Sequence, residues 1–187
     1  LKYAVRRQEE TIYHRQLKMT SPALNRFRDL VLYNLEAGQA VLTDNNDIRI
    51  YTDGKEKFHA LIEEMKRAKK YIHVQYYIIR NDEVWQDIEK VLIEKAHEGV
   101  EVRVLFDSMG CRTMHKRDWD RLKCEGIRVA EFFPAILGQL QMRVNYRNHR
   151  KIVVIDGKVG FVGGFNVGRE YIGKDEKFGY WRDTHLC

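Results

Sequence analysis

The residues of this chain best placed to do chemistry together lie in one stretch. It runs Asn148-His149-Arg150-Lys151-Ile152-Val153-Val154-Ile155-Asp156-Gly157 and continues, after a short gap, with Phe161-Val162-Gly163-Gly164-Phe165-Asn166. The β-branched run Ile152 to Ile155 predicts a buried strand. Side chains alternate along a strand, so His149 and Lys151 share one face while Asp156 turns to the other. A neutral imidazole is a competent nucleophile near neutral pH. A fixed ammonium beside it stabilises the charge that grows on the non-bridging oxygens of a phosphorus becoming five-coordinate. Phosphodiester chemistry is therefore what this pair suits, and neither role calls for a metal or a cofactor. Gly163 and Gly164 allow close backbone approach to a ligand, and the Asn166 amide adds a hydrogen-bond donor. The group reads as a phosphoryl cradle, whereas His73 and His115 lack such company and are assigned structural roles.

The pattern His149-x-Lys151-x4-Asp156-x6-Gly163-Gly164-x-Asn166 resembles the signature of the phospholipase D superfamily at every defined position. Val100-Glu101-Val102-Arg103-Val104-Leu105, the run Asn145 to Lys151, and Gly179-Tyr180-Trp181-Arg182-Asp183 extend the resemblance to bacterial cardiolipin synthases, over roughly residues 40 to 187. The resemblance implies that His149, Lys151 and Asp156 are the catalytic motif, with His149 forming a covalent phosphatidyl-histidine. It implies that Lys151, Asn166 and Gly164 hold the phosphate, and that Asp156 is structural, in agreement with the strand parity. Asp183 matches the carboxylate that orients the imidazole through its second nitrogen.

The family's site contains two such motifs, and this chain holds one. The missing histidine is the general acid for the leaving oxygen, worth about 10² to 10⁴ in rate, so this piece alone is expected to be inactive. The complement is expected from a second half downstream in a longer protein, or from a second copy about a two-fold axis. Leu1 in place of Met, and an end at Cys187 without a stop signal, read as a fragment.

The elements that must carry the motif follow from periodicity. Ser21 as cap, Pro22 and Gly38 bracket one helix with Leu24, Phe27, Val31 and Leu35 on a face. A helix from about Lys55 to Lys70 feeds a strand Tyr71 to Ile79. A helix with Trp85, Ile88, Val91 and Leu92 inward closes at Gly99 before Val100 to Phe106, and one with Trp119 and Leu122 closes at Gly126 before Ile127 to Phe133. The strand starts at Tyr71, Val100 and Ile127 are 29 and 27 residues apart, the length of a βαβ crossover, which predicts parallel strands. The expected class is α/β, a layered α-β-α sandwich of the phospholipase D type with a mixed, largely parallel sheet. Residues 1–39 are expected to be a basic juxtamembrane lead-in and helix, and 40–187 the first catalytic half.

Composition bounds the rest. The 187 residues are 44% hydrophobic and have no apolar run near the roughly 20 residues of a membrane span. Three cysteines without C-x-x-C spacing argue against a disulfide framework or a zinc site. The formal charge of +6 favours an anionic partner without choosing one. With the resemblance, the partners are phosphatidylglycerol and an anionic membrane surface at the cytoplasmic face of the cell membrane. The reaction that the resemblance implies is phosphatidyl transfer from one phosphatidylglycerol to another, giving cardiolipin. A nuclease or phosphodiesterase acting on nucleic acid is the alternative, and an inert interaction module the third. Arg143, Arg147 and Arg150 are candidate head-group contacts, and Phe132 to Leu137 a candidate apolar lip.

Overall fold

Helix, glycine, strand recurs along the middle of the chain and sets its frame. In the computed structural model the described residues are 3, 6, 22–40, 42–43, 46–133 and 147–187. They fall into two units, Leu1–Asp47 and Ile48–Cys187. Ser21, Arg143 and most of the lead-in and apolar-lip residues lie outside the described set.

In the first unit, α1 (Pro22–Arg26) and α2 (Arg28–Gly38) replace the single helix expected there. The break falls at Phe27, whose ψ of 17° leaves the helical region and whose ring is 52% exposed rather than inward. Leu35 is buried.

In the second unit, α3 (Gly54–Lys66), α4 (Glu83–His97) and α5 (Lys116–Cys124) alternate with β1 (Ile50–Asp53), β2 (Tyr71–Tyr76), β3 (Glu101–Asp107) and β4 (Arg128–Phe132). Then come β5 (Ile152–Ile155), β6 (Val159–Gly163) and β7 (Arg182–Leu186). The helix starts are chemically marked. Asp53 accepts from the amides of Lys55 and Glu56, and Asp82 from those of Val84 and Trp85. Gly99 (φ 86°) and Gly126 (φ 83°) supply the left-handed residues that end α4 and α5.

The seven strands form one sheet in the order β1-β7-β6-β5-β2-β3-β4. As the spacing predicted, β2, β3 and β4 run parallel, with Tyr71 opposite Glu101 and Arg103 opposite Arg128. The parallel part stops there, because β1-β7, β7-β6, β6-β5 and β5-β2 are all antiparallel. The sheet is mixed, and less parallel than expected. Helical crossovers join β2, β3 and β4, whereas β5 and β6 meet through a tight turn at Asp156 and Gly157, which only antiparallel neighbours allow.

Alternate strand residues such as Ile72, Val74, Val102, Val104, Val153 and Phe161 join Phe58, Leu61, Trp85, Ile88, Trp119 and Leu122 of the helices in one core. The other sheet face carries His73, Gln75, Arg103, Leu105 and Ile152, which line a pocket there among the described residues. Helices α3 to α5 therefore form one layer of the expected sandwich. Because β5 runs opposite to β2 and β3, its beginning, with His149, reaches the carboxyl ends of those two strands, where open α/β sheets bind ligands.

Candidate active site

His149 is exposed, two residues ahead of Lys151, which is 8% exposed. Both side chains converge on Tyr77, just past β2. The imidazole stacks on the phenol with centroids 3.7 Å apart and planes 24° apart, and Lys151 Nζ lies 5.4 Å from the centre of the same ring. The ammonium also donates to the His149 carbonyl. Both residues lie just ahead of β5, and they meet on Tyr77 as an accessible imidazole beside a half-sequestered cation. Burial pulls the Lys151 pKa below its ordinary value, and the Asp183 carboxylate opposes that shift.

The lead into this strand is pinned from β3. Asp107, 1% exposed, accepts from the Asn148 amide at 3.3 Å and faces Arg147 at 3.8 Å, while its other bonds take the amides of Met109 and Gly110. Arg147 also reaches Ser108 and lies over the Phe133 ring. Sequence reading missed Asp107, although an aspartate closing a parallel strand at its carboxyl end was a usable signal. It missed Tyr77 for a better reason: an aromatic closing an apolar strand reads as core.

The glycine pair does permit close approach, but the approaching groups belong to β7. A Cβ on Gly164 would overlap the Asp183 carboxylate, and one on Gly163 would lie 2.7 Å from His185 Cγ. Asp183 therefore stands beside Gly164 and Lys151. Among the described residues no hydrogen bond joins it to His149. Asn166, 6% exposed, spends its oxygen on the Ile78 amide and one amide proton on the Tyr171 hydroxyl, at 3.0 Å each, which leaves its second proton available. Arg150 is exposed.

Asp156 sits at the far end of β5, with φ 55°. Its carboxylate accepts from the amides of Lys69 (2.8 Å), Lys70 (2.8 Å) and Tyr71 (2.9 Å), tying the end of α3 and the start of β2 to the β5–β6 turn. Those bonds hold its pKa below the usual carboxylate value. The structure thus brings His149, Lys151, Gly164 and Asp183 to one end of the sheet and leaves Asp156 at the other.

Behind the site lies a buried polar group that sequence reading did not single out. Lys57 of α3, 0% exposed, donates to the Tyr76 hydroxyl at 2.8 Å, and burial drives its pKa well down while pushing that of Tyr76 up. His185, also 0% exposed, has neither ring nitrogen hydrogen-bonded and is held neutral, its pKa pulled down to about 3 by burial and by Lys57 and Lys151. Among the described residues no group of His, Cys, Asp and Glu is arranged to hold a metal ion.

The same architecture occurs in phosphatidylserine synthase from Haemophilus influenzae (TM-score 0.56, 19% identity, 78% of this chain and 34% of that one). It occurs also in the phospholipase D family member Nuc from Salmonella typhimurium (TM-score 0.52, 17% identity, 75% of this chain and 81% of that one). At these identities the likeness defines the fold, that of the phospholipase D class. A family model described as cardiolipin synthase, PLD-like domain, matches residues 61–178, a span that includes His149, Lys151, Asp156, Gly164 and Asn166 and stops short of Asp183. The chain belongs to this cardiolipin synthase family of phospholipase D-like domains. It is 47% identical over 186 residues to the cardiolipin synthase of Oceanobacillus iheyensis, and it spans 39% of that relative's length.

Proposed function

We propose that this chain supplies the nucleophilic half of a phosphatidyltransferase that makes cardiolipin from two molecules of phosphatidylglycerol. The observation that carries the reading is the convergence of His149 and Lys151 on Tyr77, with the imidazole accessible and the ammonium partly sequestered. A ring nitrogen of His149 forms a bond to phosphorus as the bond to the glycerol oxygen breaks, and that oxygen takes a proton from an acid outside this chain. The hydroxyl of a second phosphatidylglycerol then attacks the phosphorus and gives up its proton to the same outside group. The P–N bond breaks, and cardiolipin and free glycerol are the products.

Lys151, with the remaining amide proton of Asn166, holds the non-bridging oxygens through both steps. The outside group is the second histidine of the two-motif site, supplied by a downstream half or by a second copy. The donor lipid implies an anionic membrane surface, and the cytoplasmic side is part of the same proposal.

The test is turnover by the whole enzyme in the presence of EDTA, with phosphatidylglycerol vesicles in one arm and single-stranded DNA in the other. Chelator-resistant release of labelled glycerol, lost in His149→Ala, supports the reading. Cleavage of DNA with the lipid untouched moves the function to the nucleic-acid phosphodiesterase alternative, with which the +6 charge is equally compatible.

A further inference from the structure

We propose that Tyr77 is a positioning residue for the His149 nucleophile, a role that rests on the assignment of His149 made above. Four observations lead there. First, the phenol covers one face of the imidazole at 3.7 Å, so the ring can turn only by sliding on a fixed plate. Second, the same plate receives the Lys151 ammonium at 5.4 Å, which ties nucleophile and phosphate-binding cation to one reference surface.

Third, the backbone beneath the plate is clamped on both sides. The buried Cys111 thiol donates to the Tyr77 carbonyl and accepts from the Ile79 amide, Asn166 accepts from the Ile78 amide, and a Cβ on Gly110 would overlap the Tyr77 carbonyl. Fourth, His149 has little else to orient it. It precedes β5, is exposed, and among the described residues its ring makes no hydrogen bond.

Nucleophilic attack needs the ring nitrogen in line with the bond that breaks, and an imidazole free to rotate about two side-chain torsions meets that condition rarely. The stack removes this freedom before the substrate arrives, which is preorganisation of the nucleophile. Contact through the ring face makes the aromatic plane the working part and leaves the hydroxyl dispensable.

Two measurements test the proposal. In the 187-residue chain, the ring protons of His149 should resonate upfield through the ring current of Tyr77. The shift should persist in Tyr77→Phe and disappear in Tyr77→Leu. In the whole enzyme, Tyr77→Leu should lower kcat by about 100-fold, the usual effect of misplacing a reacting group by about 1 Å. KM for phosphatidylglycerol should stay near its wild-type value, and Tyr77→Phe should recover most of kcat. Should the leucine variant not fold, Tyr77→Met is read in the same way.

An unshifted His149 resonance in the unmodified chain overturns the proposal. So does a wild-type kcat in Tyr77→Leu, or a phenylalanine variant as slow as the leucine one. A shifted resonance in an enzyme that leaves phosphatidylglycerol untouched would overturn the lipid reading instead, so the two failures are distinguishable.

Discussion

The Asp183 carboxylate fills the space into which a side chain at position 164 would project, with both of its oxygens overlapping a Cβ placed there. Gly164 is thus the gap through which β7 brings a negative charge to Lys151. Gly164→Ala should displace Asp183 and slow phosphatidyl transfer by about 10². Gly160→Ala, on the strand β6 that leads to Gly164 and with open space around its Cβ, should leave the rate unchanged. Labelled glycerol release by the two variants of the whole enzyme checks this, and equal rates would separate Gly164 from the chemistry.

Asp183 also sets how far Lys151 can be buried and stay charged. Burial lowers the ammonium's pKa and Asp183 raises it, so Asp183→Asn removes the opposing influence and lets the pKa fall further. In the proposed role of Lys151 the ammonium must be protonated to hold the phosphate oxygens. The alkaline limb of the pH–rate profile should therefore move to lower pH in Asp183→Asn, with the acid limb in place. A profile that shifts only on the acid side would assign Asp183 to His149.

Asp156 should divide stability from chemistry. Its three amide bonds join α3, β2 and the β5–β6 turn, and Asp156→Ala should cost about 1 kcal/mol after allowance for solvent screening. The enzyme that remains folded should turn over normally. Its folded-state pKa lies below the unfolded value of about 3.9, so this stabilisation is complete above that pH and disappears as pH falls through the folded-state value. Denaturant titrations of the wild type and Asp156→Asn at several acidic pH values should converge as the acid limit is approached.

Much of this arrangement was legible beforehand, and the limits were physical. Strand parity set His149 and Lys151 on the face opposite Asp156, whereas the structure separates them along β5, because all three lie outside its Ile152–Ile155 span. Crossover length fixed the parallel trio β2-β3-β4. Nothing in local spacing could announce that β1 would pair with β7, since Tyr51 and His185 meet only in the folded sheet. The missing side chains of Gly163 and Gly164 read as room for a ligand, whereas the groups that approach them belong to β7, a strand that local sequence could not place there. Lys57 precedes Phe58 on an amphipathic helix and reads as a solvated lysine, because its partner, the Tyr76 hydroxyl, belongs to a distant strand.

That buried amine should report itself through pH. A lysine whose folded-state pKa lies below its unfolded value of about 10.4 leaves the unfolded chain binding more protons, so its effect favours folding increasingly as pH rises towards that value. Stability measured as wild type minus Lys57→Met should therefore climb from pH 7 to pH 10. Tyr76→Phe, which strands the amine without its acceptor, should cost about 1–3 kcal/mol at pH 7, whereas Lys57→Met should be close to neutral. A flat difference across that pH range would mean that the amine is solvated.

The central claim is that His149 is the group that becomes covalently attached to phosphorus. The whole enzyme, mixed with phosphatidylglycerol labelled at phosphorus, quenched and mapped by peptide, should carry an acid-labile label on the peptide containing His149. The label should vanish in His149→Ala and persist in Asp156→Asn. Label on a histidine outside this chain, or undiminished label in His149→Ala, would contradict the account.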